Sequence, residues 1–386
     1  MTAHMRPVQE RSHDRNWCAR AVTDLRIEQG RAGTTPLMQL DLPALGGVRL
    51  HIKDESRQPT GSLKHRLARA LFQHAICSGL IGPDTPIIEA SSGSTAVSEA
   101  YFARLLGLRF IAVMPRSTSG EKIRQIEHYG GACEFVDDPA EVQPRAAALA
   151  ARTGGHFMDQ FTNAAQAVDW QGDDNIAASI FAQLAQGADP DPAWIVTGAG
   201  TGGTLATLGR YVRSRGLSTH LCLADPEGSV FHRHFADPLI TRINGACTLI
   251  EGIGRPVLGE SFIPQLVDRA LAVPDAASCA AARVLSDLIG RRCGGSTGTA
   301  FWCAAQLAAE LIARGQDGAI VFLLCDDGAR YAETYFDDAW LRGKGLDIAP
   351  YQERLERFIE TGFMAGMDGV RPAVRPGECT RPANDR

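Results

Sequence analysis

No two of the ten cysteines form a CxxC pair, and most lie in apolar stretches such as HLCLAD around Cys222 and IVFLLCDD around Cys325. That usage reads as buried, reduced thiols and excludes a disulfide frame. None of the ten histidines falls in an HExxH spacing, so no metal site is expected. There is no basic excess: 39 Lys and Arg stand against 44 Asp and Glu, a formal net charge of −5. Such a chain is not built to coat nucleic acid or an anionic membrane surface, and neither is expected as a partner. No apolar run reaches the roughly 20 residues that cross a bilayer. The opening MTAHMRPVQERSHDRN is polar and has no apolar core of a secretory signal, so a cytoplasmic location is expected.

What is present is a chain of 386 residues, 45% hydrophobic, long enough for two ordinary domains. Short β-rich runs alternate with helical patterns. IIEA (87–90) precedes a helix over 95–106, and FIAVMP (110–115) precedes a helix that starts at Ser119 and stops at Gly130–Gly131. CEFV (133–136) leads into an alanine-rich helix over 139–152. WIVTGAG (194–200) leads into TLATLGRYVRSRG, and LCLADPE (221–227) follows. GRRCGGSTG precedes a helix near 299–314, then comes AIVFLLCDDG (319–328). This alternation predicts an α/β fold, with mostly parallel sheets flanked by helices. Ligands of such sheets bind beyond the carboxyl ends of strands. That directs attention to 91–95, 198–204, 225–229, 294–299 and 325–330. A domain seam is expected within 156–175, dividing 15–165 from 166–345. Residues 1–14 read as a flexible N-terminus and 346–386 as a partly disordered C-terminal extension.

Four stretches could carry chemistry. In GAGTGGT (198–204) a glycine-rich turn between strand and helix exposes N–H groups at the positive end of the helix dipole, an anion cradle. Gly198, Gly200 and Gly203 satisfy GxGxxG, and Asp225 lies where a ribose-binding acid would. A dinucleotide, a phosphate monoester and a plain tight turn therefore all stay open, with Thr201 and Thr204 favouring the monoester. In PTGSLKHRLARALF (59–72), Ser62 is the expected N-cap and Lys64 falls in the first turn of an amphipathic helix whose apolar face is Leu63, Leu67, Ala70, Leu71 and Ala75. The dipole, with Arg66 nearby, would lower the lysine pKa and make Lys64 a nucleophile for carbonyl carbon; the bland alternative is a solvated surface lysine. ASSGSTAVSEA (90–100) groups Ser91, Ser92, Ser94 and Thr95 in a loop suited to a small carboxylate, or serves as an ordinary serine cap. CGGSTGT (293–299) sets Ser296 before a helix, with the same two readings.

In order along the chain, TTPL (34–37), IKDES (52–56), PTGSLKHR, EASSGST, MDQFTN (158–163), GAGTGGT, EGIGRP (251–256), GGSTG (294–298) and DDGARY (326–331) resemble the fold-type II pyridoxal-phosphate enzymes of the cysteine synthase and cystathionine β-synthase family. The resemblance spans about 24–340 and is nearest to the bacterial L-cysteine desulfhydrase branch. It implies two α/β domains of the tryptophan synthase β kind, pyridoxal 5′-phosphate as cofactor, an amino-acid substrate and a homodimer. It makes Lys64 the catalytic Schiff-base lysine and Gly200, Thr201, Gly202, Gly203 and Thr204 the phosphate cup. Ser296 faces the pyridine nitrogen. Ser91, Ser92 and Thr95, with Gln160 and Phe161, grip the substrate carboxylate, and Gly252 and Ile253 lie near the amino group. Ser94 stands where the family usually has asparagine against the cofactor O3′; serine is shorter and offers no amide donor. The neutral Ser296 hydroxyl suits β-elimination over deeper carbanion chemistry. The implied reaction is β-elimination of L-cysteine to hydrogen sulfide, pyruvate and ammonia. The alternative is β-replacement, from O-acetylserine plus sulfide or of the cystathionine β-synthase type.

Overall fold

The computed structural model describes residues 8–245 and 248–364. The expectations for 1–7 and for 365–386 lie outside the described residues. In chain order the first elements are α1 (Val8–Ala32), β1 (Leu37–Gln39), β2 (Val48–Asp54), α2 (Lys64–Cys77), β3 (Ile87–Ala90) and α3 (Ser94–Leu105). Then come β4 (Phe110–Pro115), α4 (Gly120–His128), β5 (Ala132–Val136), α5 (Val142–Thr153), β6 (His156–Phe157), α6 (Gln160–Ala167) and α7 (Ile176–Leu184). β7 (Trp194–Thr197), α8 (Gly203–Ser214), β8 (His220–Pro226), α9 (Phe231–Ala236), β9 (Arg269–Val273) and α10 (Asp275–Ile289) follow. The last are α11 (Gly295–Ala313), β10 (Gly318–Leu324), α12 (Asp338–Gly343) and α13 (Ala349–Thr361). Among the described residues, no helix is long and apolar enough to cross a membrane.

The chain divides into two compact units: residues up to 36 with 55–175, and 37–54 with the residues from 176 on. The first unit holds a four-stranded sheet in the order β5-β4-β3-β6, parallel throughout. Every residue of β3 is buried, as a strand covered on both faces requires. Trp17, Ala21 and Leu25 recur every fourth residue along α1, a helical stripe that joins Phe72 of α2 and Phe102 of α3 in one apolar cluster. The buried face of α2 differs from the one its leucines suggest. Ala68, Leu71, Phe72, Ala75 and Ile76 are buried, together with His65 and Arg69, while Leu63, Leu67 and Ala70 are only half-buried. Polar partners turn the helix this way. His65 lies 2.9 Å from Glu28 and 3.2 Å from Thr60, and the Arg69 guanidinium lies 3.9 Å from Asp174.

The second unit holds a six-stranded sheet in the order β1-β2-β10-β7-β8-β9. β1 runs antiparallel to β2, and the other neighbours are parallel. Residues 37–54 belong here because β2 pairs with β10 along its whole length, Val48 opposite Gly318 to Asp54 opposite Leu324. The core lies between this sheet and α10, α11 and α13, with Phe301, Phe322, Leu355 and Phe358 fully covered. α11 is buried nearly all round, as expected of a central helix. It begins at Gly295, four residues before the expected start, and follows α10 rather than a strand. Alanine-rich α10 gave no separate signal next to it, and Ser296 therefore sits inside the first helical turn.

Candidate active site

In the first unit Lys64 is the first residue of α2 and is half-buried. Its backbone N–H donates to the buried Ser62 Oγ at 3.2 Å, so Ser62 caps the helix from one position further out than a standard N-cap. Arg66 is not the isolated cation that the sequence suggests beside Lys64. Its Nε donates to Glu55 Oε2 at 2.6 Å and its Nη2 to Glu55 Oε1 at 3.1 Å. Glu55 is fully buried and also accepts from Thr35 Oγ1 at 2.6 Å and Gln58 Nε2 at 3.0 Å. A buried carboxylate so surrounded is satisfied at each oxygen and fixes the start of α2. A second chain runs from Ser98 Oγ to Thr60 Oγ1 at 2.8 Å, on to His65 Nδ1, and from His65 Nε2 to Glu28. Burial pushes the His65 imidazole down against the pull of Glu28. A neutral ring accepting at Nδ1 and donating at Nε2 satisfies every member. This chain ties the turn ahead of Lys64 to α3.

The loop after β3 brings together part of the expected carboxylate grip. Ser91 Oγ accepts from the Gly93 N–H at 3.2 Å, and Ser94 opens α3. Thr95 Oγ1 donates to Gln160 Oε1 at 2.8 Å, which joins two expected grip residues 65 positions apart. Gln160 opens α6, followed by Phe161. Just before it, Asp159 has φ 42°, the one non-glycine residue at positive φ among the described residues. Such strain persists only where the surroundings impose it.

In the second unit Gly200–Thr204 leads from β7 into α8. Gly202 has φ +96°, and a Cβ there would lie 2.6 Å from Ser261 O and 2.7 Å from Phe262 Cα. Both the conformation and the space admit only glycine. The Gly203 N–H donates to Thr201 Oγ1 at 3.2 Å, leaving the Thr201 hydroxyl hydrogen able to donate. The Gly252 and Ile253 segment reaches this loop: the Gly254 N–H donates to Ala199 O at 2.8 Å, and a Cβ on Gly198 would meet Ile253 Cγ2 at 2.6 Å. Ser296 is buried in the first turn of α11. Asp225 cannot serve a ribose. It is fully buried at the end of β8 and accepts at Oδ2 from the His232 backbone N–H at 2.9 Å, with the His232 ring 2.8 Å away.

Glu28, Glu55, Thr60, Glu89, Ser98 and Glu99 support these loops and were not among the residues expected at the site. The usable signal was a lone carboxylate in an otherwise apolar run, as in IIEA and TAVSEAYF.

The family described as pyridoxal-phosphate dependent enzymes matches residues 29–326. The chain belongs to that family. The L-cysteine desulfhydrase Cds1 of Mycobacterium tuberculosis (strain H37Ra) is 51% identical over 343 residues, covering 88% of this chain and 93% of the relative. The cystathionine beta-synthase of Apis mellifera is 29% identical over 327 residues, 81% of this chain and 62% of the relative. The crystal structure of O-ureido-L-serine synthase superposes with a TM-score of 0.70 at 26% identity, covering 82% of this chain and 98% of that one.

The residues of this pyridoxal-phosphate dependent enzyme fit its cofactor. The 200–204 loop has helix N-terminal N–H groups, two threonine hydroxyls and no acidic residue in the first turn of α8, which is what a phosphate dianion requires. Lys64 supplies a primary amine on a helix start held by a buried ion pair, and Ser296 supplies a neutral hydroxyl.

Proposed function

We propose that this chain eliminates the β-substituent of L-cysteine, so that L-cysteine and water give hydrogen sulfide, pyruvate and ammonia. The observation that carries the reading is the 51% identity to an L-cysteine desulfhydrase over 343 residues, 88% of this chain. The bound cofactor supplies an electron sink for the charge that develops at the substrate Cα. Gly200, Thr201, Gly202, Gly203 and Thr204 bind its phosphate through backbone N–H groups and hydroxyls. Ser296 would offer the cofactor's ring nitrogen a hydroxyl without a formal charge, and Ser94 would stand in for the asparagine that usually serves its O3′. Lys64 would hold the cofactor through its side-chain amine and would serve as the base that takes the proton from the substrate Cα. Ser91, Ser92, Thr95, Gln160 and Phe161 hold the α-carboxylate, and Gly252 and Ile253 border the amino group. Hydrosulfide leaves readily because its conjugate acid is fairly acidic. The enzyme works in the cytoplasm as a homodimer.

The test is to incubate the cofactor-loaded protein with L-cysteine alone and to quantify pyruvate and sulfide. Both are expected catalytically and in equal amounts. A Lys64→Ala protein should lose turnover by at least about 10³-fold. If wild-type protein makes no pyruvate until a second nucleophile such as sulfide or homocysteine is added, the chain is a β-replacing synthase.

A further inference from the structure

The most deeply buried charge cluster of the first unit has no part in the mechanism above. Glu89 is the third residue of β3, and Glu99 lies on the second turn of α3; both are completely inaccessible. Glu89 Oε1 accepts from the Ala90 N–H at 2.6 Å, where the Ser91–Thr95 loop begins. Glu89 Oε2 accepts from the Gln160 N–H at 3.2 Å, where α6 begins. One carboxylate thus fastens both backbone segments that carry the expected carboxylate grip, and the Thr95 and Gln160 side chains join the same two segments.

A second carboxyl interacts with Glu89: Glu99 is buried with neither oxygen partnered by any fixed N–H or O–H donor, and the Glu89 carboxyl is the group that each shift of the pair points to. Two buried carboxylates cannot both be charged at contact, so a hydrogen bond between them requires a shared proton. Burial and the Glu89 charge push Glu99 well above the ordinary carboxyl range, which places the proton on Glu99. Glu99 is then a donor, and above about pH 7, where Glu89 ionises, Glu89 is an anion held by two N–H groups and one O–H. Asp159, the residue at φ 42° before α6, adds a like charge that opposes ionisation of Glu89.

We propose that Glu89 and Glu99 form a proton-sharing pair of positioning residues, in which protonated Glu99 holds the Glu89 carboxylate against the Ala90 and Gln160 N–H groups and so sets the substrate-carboxylate grip. This rests on the reading that Thr95 and Gln160 hold the α-carboxylate. The pair touches no reacting atom. It acts on substrate binding through the backbone of two segments.

The design distinguishes hydrogen bonding from filled space. Glu99→Gln keeps a donor at the same reach, and Glu99→Leu keeps most of the volume and removes it. With cofactor-loaded protein, Glu99→Leu should raise KM for L-cysteine by about 10-fold with kcat within about 3-fold, the size of one lost charge-assisted hydrogen bond. Glu99→Gln should stay within about 2-fold of wild type in both. Glu89→Gln turns an amide NH₂ toward one of three donors and should raise KM at least as much as Glu99→Leu. The infrared spectrum of the wild type at about pH 8.5, where Glu89 is ionised, should show a protonated-carboxyl component that Glu99→Gln removes, a readout independent of turnover. Equal KM in Glu99→Leu and Glu99→Gln, or no protonated-carboxyl band, overturns the pair. Thr95→Ala and Gln160→Ala serve as controls. If both leave KM unchanged, the carboxylate reading falls and the pair falls with it; if they raise KM while Glu99→Leu does not, the pair alone falls.

Discussion

The two units hold their functional loops by different physics. Around Lys64 and the Ser91–Thr95 loop, the first unit uses buried ionisable side chains: Glu55 with Arg66, Glu28 with His65, Glu89 with Glu99. Around Gly200–Thr204 the second unit uses contact. Gly202 lies against the backbone of Ser261 and Phe262, and Gly198 lies against Ile253. Charge can be tuned by a neighbour or by pH, while a backbone at van der Waals contact cannot. The division suits the proposed tasks. A loop that is to bind a phosphate needs fixed N–H directions. The lysine proposed as base and the loops proposed to hold the substrate carboxylate sit among groups that themselves hold or lack protons.

Breaking the charge-built side should have the largest effect on stability. Arg66→Ala leaves Glu55 buried without its cation and is expected to cost about 3 kcal/mol in urea unfolding. The double variant Glu55→Gln/Arg66→Met removes both charges and should recover most of that loss, because the penalty comes from an uncompensated charge rather than from missing contacts. If the double variant is as unstable as the single one, the start of α2 is held by packing, and the contrast between the units fails on that side.

The shape-built side should respond in the opposite manner. Gly202→Ala forces a Cβ onto backbone atoms at positive φ and is expected to cost about 2 kcal/mol, and to weaken cofactor binding roughly 30-fold, by equilibrium dialysis. The obstructing atoms are Ser261 O and Phe262 Cα and N, so truncating the Phe262 side chain should not rescue it. The loss should also be the same from pH 6 to pH 8. A loss that varies strongly with pH over that range would mean that charge, not contact, sets this loop.

Much of this contrast was legible in sequence, but unevenly. β3, β4, β5, β7, β8 and β10 stand out as apolar runs between turn residues, and the glycines of 198–204 announce a tight loop. β2 does not stand out, because VRLHIKD carries two basic residues and a histidine. Lys53 is nevertheless fully buried, satisfied by Ser179 Oγ and Gln183 Oε1, both at 2.6 Å and more than 120 positions away. β9, RALAV, is hidden in an alanine-rich stretch that continues into α10. The shape-built loop is local, so its residues declare it. The charge-built network joins positions 28 with 65, 55 with 66 and 89 with 160, and no window of sequence shows which buried acid meets which donor. The motif resemblance supplied the proposed site residues; the acids that hold their loops came only from the fold.

The finest test of the contrast concerns Asp159. Burial, with Asp159 adding a like charge, raises Glu89 from its ordinary value to about 7. A carboxyl raised in the folded state contributes stability that is fully present below its unfolded value near 4.5 and is lost as pH rises through about 7. Asp159→Asn removes the like charge, keeps the cap on the Thr162 N–H, and tolerates the left-handed backbone at least as well. Glu89 should then titrate lower and lose less stability on the way up. The variant should match wild type near pH 4.5 and exceed it by about 0.5 kcal/mol at pH 8, from urea unfolding at each pH. Comparing the variant with wild type at each pH cancels the opposing slope of His65, whose depressed value costs stability as pH falls. A difference that does not change with pH would assign the whole effect to relief of the φ 42° backbone, and the Asp159 carboxylate would then have no hold on Glu89.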